Sequence, residues 1–98
     1  MVREVVFSAS AVRHWKRLHK AARASLRDAI RKHLIEADPL ESGRNKFRLR
    51  RPSEHAEFEL RVDPWRVFYR VAERRVEVVM IGKKQGNRLL VEGEEFVL

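Results

Sequence analysis

Glu59, Arg61, Arg66 and Lys84 are the residues of this chain whose types could do chemistry together. An arginine grips a phosphate through two parallel donors and stabilises charge that grows in a transition state. A carboxylate takes up a proton, and a lysine releases one more readily than an arginine does. Set on one surface, the four suit binding or cleavage of a phosphodiester. Phe68, Arg70, Lys83 and Arg88 extend the set towards nucleic-acid binding, with an aromatic to hold a base and cations to follow a backbone. A Glu–Arg pair across two strands is more commonly a plain surface pair, worth under ~1 kcal/mol when exposed. Residue types alone therefore put nucleic-acid binding ahead of catalysis.

Sheet parity is what would gather these side chains. In "DPWRVFYRV", residues 63–71, Asp-Pro breaks the chain and Trp65, Val67, Tyr69 and Val71 then alternate with Arg66, Phe68 and Arg70. A period of two is a strand signal. If Val67, Tyr69 and Val71 face a core, the two arginines and Phe68 face away. In the preceding run Phe58, Leu60 and Val62 alternate with Glu57, Glu59 and Arg61, which places Glu59 and Arg61 on the same outward side. "VEVVMIG" is apolar on both faces, as a central strand is, and "KKQGN" reads as a basic turn that adds Lys83 and Lys84, with Arg88 after it.

Upstream, "VREVVF" reads as a first strand, and Ser8 or Ser10 is the expected cap of a helix. Val12, Trp15, Leu18 and Ala22, then Leu26, Ala29, Ile30, His33, Leu34 and Ala37, recur at helical spacing and predict helices over 9–20 and 22–37, ended by Pro39. The short connection favours an antiparallel pair. Arg23, Arg27 and Arg31 share one face of the second helix, either as a solvated stripe or as a docking surface for an acidic partner or phosphates. The connection "RNKFRLRRP" carries five cations, Arg44, Lys46, Arg48, Arg50 and Arg51, around Phe47. It is either a loop that follows a nucleic-acid backbone, with Arg48, Arg50 and Arg51 on RNA, or an edge strand with Phe47 and Leu49 packed inward. The end, "RLLVEGEEFVL", is either a short strand pair or a tail packed on the sheet. The expected class is α+β in one domain over 1–98: a strand, a helical hairpin, then a three-strand antiparallel meander with the helices on one sheet face.

Composition narrows the partners. The chain has 98 residues, a formal net charge of +8 and no cysteine. That is enough chain for one core, excludes disulfides and zinc–thiolate sites, and favours a polyanionic or acidic partner. No apolar run approaches the ~20 residues that span a bilayer, and the first residues read as a strand rather than a signal peptide, so a cytoplasmic protein without a membrane partner is expected. His14, His19, His33 and His55 lack metal-ligand spacing. With no phosphate-binding glycine loop and no carboxylate cluster, neither a metal nor another cofactor is expected.

In the order of its elements and in "FELRVDPWRVFYRVAERRVEVVMIGKK", the chain resembles the RelE/ParE superfamily of bacterial type II toxins. The family's "YR-hydrophobic-hydrophobic-Y" core stands here as "WRVFY" and its closing turn as "IGKK". The resemblance implies a compact microbial-RNase-like fold and an antitoxin, encoded beside the toxin, that wraps and blocks it. It implies one of two activities: metal-independent mRNA cleavage in the ribosomal A site, as in the RelE branch, or inhibition of DNA gyrase, as in the ParE branch. A toxin fold that retains only partner binding is a third outcome. Carried over by position, Arg66 matches the arginine that contacts the scissile phosphate, Arg61 a basic residue of the preceding strand, and Lys84 the place of an arginine that serves as acid or charge stabiliser. Glu59 stands where a lysine is usual, and Leu90 near the place of a C-terminal tyrosine, which leaves Phe68 or Phe96 as the available aromatic.

Overall fold

A computed structural model describes residues 3–49 and 56–96. Strand β1 (Glu4–Phe7) leads into helix α1 (Ala9–Lys16) and helix α2 (Lys20–Ile30), which continues as one wide π-helical segment over Arg31–Glu36. Strands β2 (Lys46–Arg48), β3 (Phe58–Val62), β4 (Trp65–Val71), β5 (Arg75–Gln85), β6 (Arg88–Val91) and β7 (Glu94–Glu95) follow. All seven strands form one sheet in the order β2-β3-β4-β5-β6-β7, with β1 added to β5. The meander β3-β4-β5 is antiparallel, whereas β1 lies parallel to the first half of β5, from Glu4 opposite Arg75 to Phe7 opposite Val78. The C-terminal stretch, open between two readings in the sequence, is a strand pair.

The first helix ends earlier than its periodicity predicts. Ser8 caps α1, its hydroxyl accepting from Ala11 N–H at 3.0 Å. His19 then begins α2, with Nδ1 accepting from Ala22 N–H at 3.2 Å. A cap needs extended backbone at its own residue, so α1 cannot run through His19. At the far end, Lys46 reaches back from β2 and donates to the carbonyls of His33 (3.0 Å) and Asp38 (2.9 Å). At His33 this ammonium satisfies a carbonyl of the last helical turn, and its charge suits the negative end of the helix dipole. β2 is thus an edge strand, and Lys46, one of the five cations of its segment, is buried in a structural role.

Two cores lie on the two faces of the sheet. On the helix side, Ala11, Leu26, Ile30 and Leu34 pack on Phe58, Leu60, Val67, Tyr69, Val76, Val78 and Ile81. Tyr69 is fully buried and donates its hydroxyl to Pro39 O at 2.8 Å, tying the chain after α2 to the middle of β4. Burial raises its pKa well above the usual phenol value. On the other face a smaller cluster of Ala56, Phe68 and Met80 is covered by Leu49, Leu89, Val91 and Phe96. The outward face of the meander is therefore roofed in part by the C-terminal strands.

Candidate functional site

A bulge decides which side chains share a face. β4 and β5 pair from Trp65 opposite Lys83 to Phe68 opposite Met80, and then the register shifts so that Tyr69 meets Val78. Val79 is the extra residue, and its insertion changes the parity of everything after it. Val76, Val78 and Ile81 enter the helix-side core, whereas Met80 joins the cluster on the other face. Gly82 and Lys84 continue on the face of Met80, and Lys83 continues on the face of Ile81. Helix α1 supplies the backbone partners that the bulge leaves over. Ser8 Oγ donates to Val79 O at 2.7 Å, and His14 Nδ1 accepts from Ile81 N–H at 3.1 Å.

Lys83 and Lys84 were expected together in a turn on the outward face. Both instead lie inside β5, so they alternate. Lys83 is on the helix face, its ammonium 5.6 Å from the centre of the Trp65 ring. The turn itself is only Gly86–Asn87, with Gly86 at φ 62° as a two-residue hairpin turn requires.

Glu59, Arg66 and Lys84 line one cleft of ≈ 290 Å³, with Phe68 and Leu89 in its wall and Asn87, Glu95 and Phe96 from the C-terminal hairpins closing it. Arg66 is 9% exposed, a depth at which a guanidinium needs partners. It has them in Asp63 Oδ1 and Trp65 O, both 2.9 Å from Nη1. Glu59 accepts from Arg61 Nε at 2.8 Å, and the Arg61 guanidinium lies 4.1 Å from the centre of the Phe47 ring. Arg61 thus stands beside the cleft, stacked and ion-paired through Glu59. Gly82 sits opposite Arg66 and makes the close cover possible. A Cβ there would lie 2.8 Å from Leu89 Cδ1 and 3.1 Å from Leu90 O.

The other sequence candidates are dispersed. Phe68 was expected to offer its ring to a base; its exposure is 0%, so it packs against Met80 as the floor of the cleft and offers no face. Phe96 is the aromatic at the cleft, held by its own N–H on Leu89 O at 2.8 Å. Arg70 lies outside the cleft and binds Glu77 across the sheet, with Nη2 2.9 Å from Oε1. Arg88 approaches Glu95 at 3.6 Å, and Arg48 lies 5.6 Å from the centre of the Phe58 ring. Arg50, Arg51 and His55 fall outside the described residues. Sequence reasoning missed Asn87 and Glu95; the Gly-Asn dipeptide marks the turn that brings Asn87 to the rim.

It also missed His14, which joins α1, β5 and the C-terminal hairpin. With Nδ1 accepting from Ile81, the ring is the Nε2–H tautomer, and Nε2 stands 3.5 Å from Glu92 Oε1. Burial lowers the pKa of His14 against the opposing pull of Glu92, with Arg13 and Arg17 adding to the lowering. Burial, Lys46 and Lys32 lower that of His33. Among the described residues, no three His, Cys, Asp or Glu side chains converge as metal ligands, and no helix is long and apolar enough to cross a membrane.

A family model described as the ParE toxin of type II toxin–antitoxin systems, parDE, matches residues 5–87. No curated protein and no solved structure matches the chain. The match runs from β1 to the Gly86–Asn87 turn and stops before β6.

Proposed function

As the chain belongs to the ParE toxin family of type II toxin–antitoxin systems, we propose that it is a toxin that cleaves messenger RNA on the ribosome without a metal ion. The observation that supports this reading is the cleft that collects Glu59, Arg66 and Lys84. Glu59 takes the proton from a 2′-hydroxyl, whose oxygen attacks the adjacent phosphorus. Arg66 and Lys84 stabilise the charge on the pentavalent phosphorus. As the P–O5′ bond breaks, Lys84 gives a proton to the leaving oxygen, and the products are a 2′,3′-cyclic phosphate and a 5′-hydroxyl. Arg61 acts as a positioning residue that orients the Glu59 carboxylate. Phe96, at the rim, supplies a surface on which a base can stack.

Programmed ribosomes incubated with the protein test this. Cleavage with cyclic phosphate ends is expected, with none on an mRNA carrying 2′-deoxyribose at the cleaved position. Arg66→Gln should reduce the rate by ~100-fold or more. Glutamine is the appropriate change because reversal to glutamate would set a carboxylate against Asp63 and the Trp65 carbonyl. Cleavage of the 2′-deoxy substrate would overturn the mechanism.

A second reading is favoured by one observation: Arg66 and Glu59 are both engaged by partners of their own chain. A toxin that binds its target rather than cleaving RNA needs no free base, and DNA gyrase is the target the family resemblance implies. Inhibited supercoiling together with intact mRNA would select it.

A further inference from the structure

The cleft has two chemically different sides. One comes from the meander, with Glu59 on β3, Arg66 on β4 and Lys84 on β5. The other comes from the C-terminal end of the chain, which brings Asn87, Glu95 and Phe96. A phosphate belongs with Arg66 and Lys84, and Glu95 would repel it. A carboxylate in that place recognises N–H donors instead. The two carboxylates of the cleft also differ in how far they are committed. Glu59 is 15% exposed and holds Arg61 Nε at 2.8 Å. Glu95 meets Arg88 Nε at 3.6 Å with both side chains more than half exposed, a pairing that contributes little and leaves the carboxylate available. Its place is nevertheless fixed by the backbone, because Glu95 pairs with Leu90 across β6 and β7 and Phe96 N–H donates to Leu89 O at 2.8 Å. The Phe96 ring, packed in part on the cluster of Phe68 and Met80, is a flat apolar surface beside that carboxylate. The cleft holds ≈ 290 Å³, the low end for a whole small molecule, so it takes one nucleotide and not a run of them.

We infer that Glu95, Asn87 and Phe96 form a base-reading subsite that selects guanine in the nucleotide whose phosphate lies against Arg66 and Lys84. Guanine is the RNA base with two adjacent N–H donors on one edge, N1–H and N2–H, and these match the two oxygens of a single carboxylate. Adenine and cytosine offer one amino donor beside a ring nitrogen that accepts. Uracil offers one N3–H between two carbonyls. Each of the three sets a lone pair against Glu95, and a site built to pair with a donor rejects the base that lacks it. Asn87 donates its amide N–H to guanine O6, and the base stacks on Phe96. The inference rests on the reading of the cleft as an RNA site and adds to it the base that is read. Binding of single nucleotides tests it away from the ribosome, so selectivity and cleavage can fail separately.

The test is calorimetric titration of the full chain with the four nucleoside 3′-monophosphates at fixed salt, with circular dichroism confirming that each variant is folded. Guanosine 3′-monophosphate is expected to bind roughly tenfold or more tightly than the other three. Inosine 3′-monophosphate, which keeps N1–H and O6 and lacks the 2-amino group, should fall between guanosine and adenosine. Glu95→Gln should bring the guanosine and adenosine nucleotides to within about threefold of each other. Arg66→Gln should weaken all four together and keep their ratio, because it acts on the phosphate. Equal binding of the four, no binding of any, or a guanosine preference that survives Glu95→Gln would overturn the inference. So would an inosine nucleotide that binds wild type as tightly as the guanosine one, a comparison that needs no variant. Guanosine-selective binding by a protein that leaves mRNA intact on programmed ribosomes would sink the nuclease reading and leave the subsite standing. Cleavage of mRNA by a protein that binds the four nucleotides equally would do the reverse.

Discussion

The two faces of the sheet are built to different depths. The helix face buries Leu26, Leu34, Leu60, Val67, Tyr69, Val76 and Val78 completely beneath two helices. The other face buries Ala56, Phe68 and Met80 beneath Leu49, Leu89, Val91 and Phe96, three of them at the C-terminal end. A thick layer excludes water, and the charge buried on its side, Lys46, is held by the carbonyls of His33 and Asp38. A thin one can hold Arg66 at 9% exposure with its partners and keep Glu59 and Lys84 at the edge of a cleft. The same strand, β5, serves both faces because one inserted residue, Val79, changes its parity between Val78 and Met80.

If the helix face carries most of the stability, Leu26→Ala should cost about 3 kcal/mol, since Leu26 is fully buried and packed from all sides. Urea unfolding reads this. Met80→Ala, on the thin face, should cost about 2 kcal/mol. Its loss of hydrogen-exchange protection should concentrate in the amides of β6 and leave α2 protected. Equal loss in α2 and β6 would mean that the two faces unfold as one unit and would remove the distinction.

Gly82→Val addresses the thin face more locally. The new side chain meets Leu89 Cδ1, which can move, and Leu90 O, which is backbone and cannot do so without lifting β6. A loss of about 1.5 kcal/mol is expected, with cleavage of the 88–96 segment by trypsin at Arg88 faster than in wild type. Unchanged proteolysis would show that the close approach of β6 to Gly82 does not hold the cover in place. Tyr69→Phe probes the thick face with a smaller change. It removes the bond to Pro39 O and leaves that carbonyl without its partner, for about 1 kcal/mol. A variant as stable as wild type would show that burial of the ring alone anchors the 37–40 segment.

The class, the order of elements and the strand meander were legible because they rest on periods of 2 and 3.6, which the early end of α1 and the bulge in β5 interrupt only locally. The outward parity of Glu59, Arg61 and Arg66 followed from the same reading, and Ser8 is one of the two serines expected as cap. What was not legible depends on single residues that change the count. The bulge at Val79 has no mark within "VEVVMIG", where every position after Glu77 is apolar, and so which face each of Lys83 and Lys84 takes could not be read. Phe68 looked available because its strand neighbours are arginines. Its burial depends on Leu89, Val91 and Phe96 returning from the C-terminal end, a contact set by tertiary packing. His14 carries no motif, because its partner is the N–H of a bulged strand 67 positions away. The family match, which ends at residue 87, likewise stops short of the segment that covers the thin face.

The smallest expected effect belongs to the joint between the two faces. His14 is neutral at Nδ1, where it accepts from Ile81 N–H, so protonation there breaks the bond that α1 makes to the bulge. Burial holds its pKa below the ordinary 6.5 in the folded chain, despite Glu92 beside it, and Arg13 and Arg17 act in the same direction as burial. A base with a lowered folded pKa binds protons more readily when unfolded, so the sign is fixed. Its contribution is complete above pH 6.5 and is lost as pH falls below 6.5 towards the folded pKa. One proton limits the slope to about 1.4 kcal/mol per pH unit. His33 has a pKa lowered by burial and by Lys46 and Lys32, so it contributes in the same window and must be separated. His14→Asn does this, because an amide oxygen can accept from Ile81 N–H and does not titrate. Urea midpoints between pH 7.5 and roughly pH 5.5 should fall less steeply for His14→Asn than for wild type, the remaining slope belonging to His33. Parallel curves would show that the joint between helix and bulge does not respond to protonation of His14.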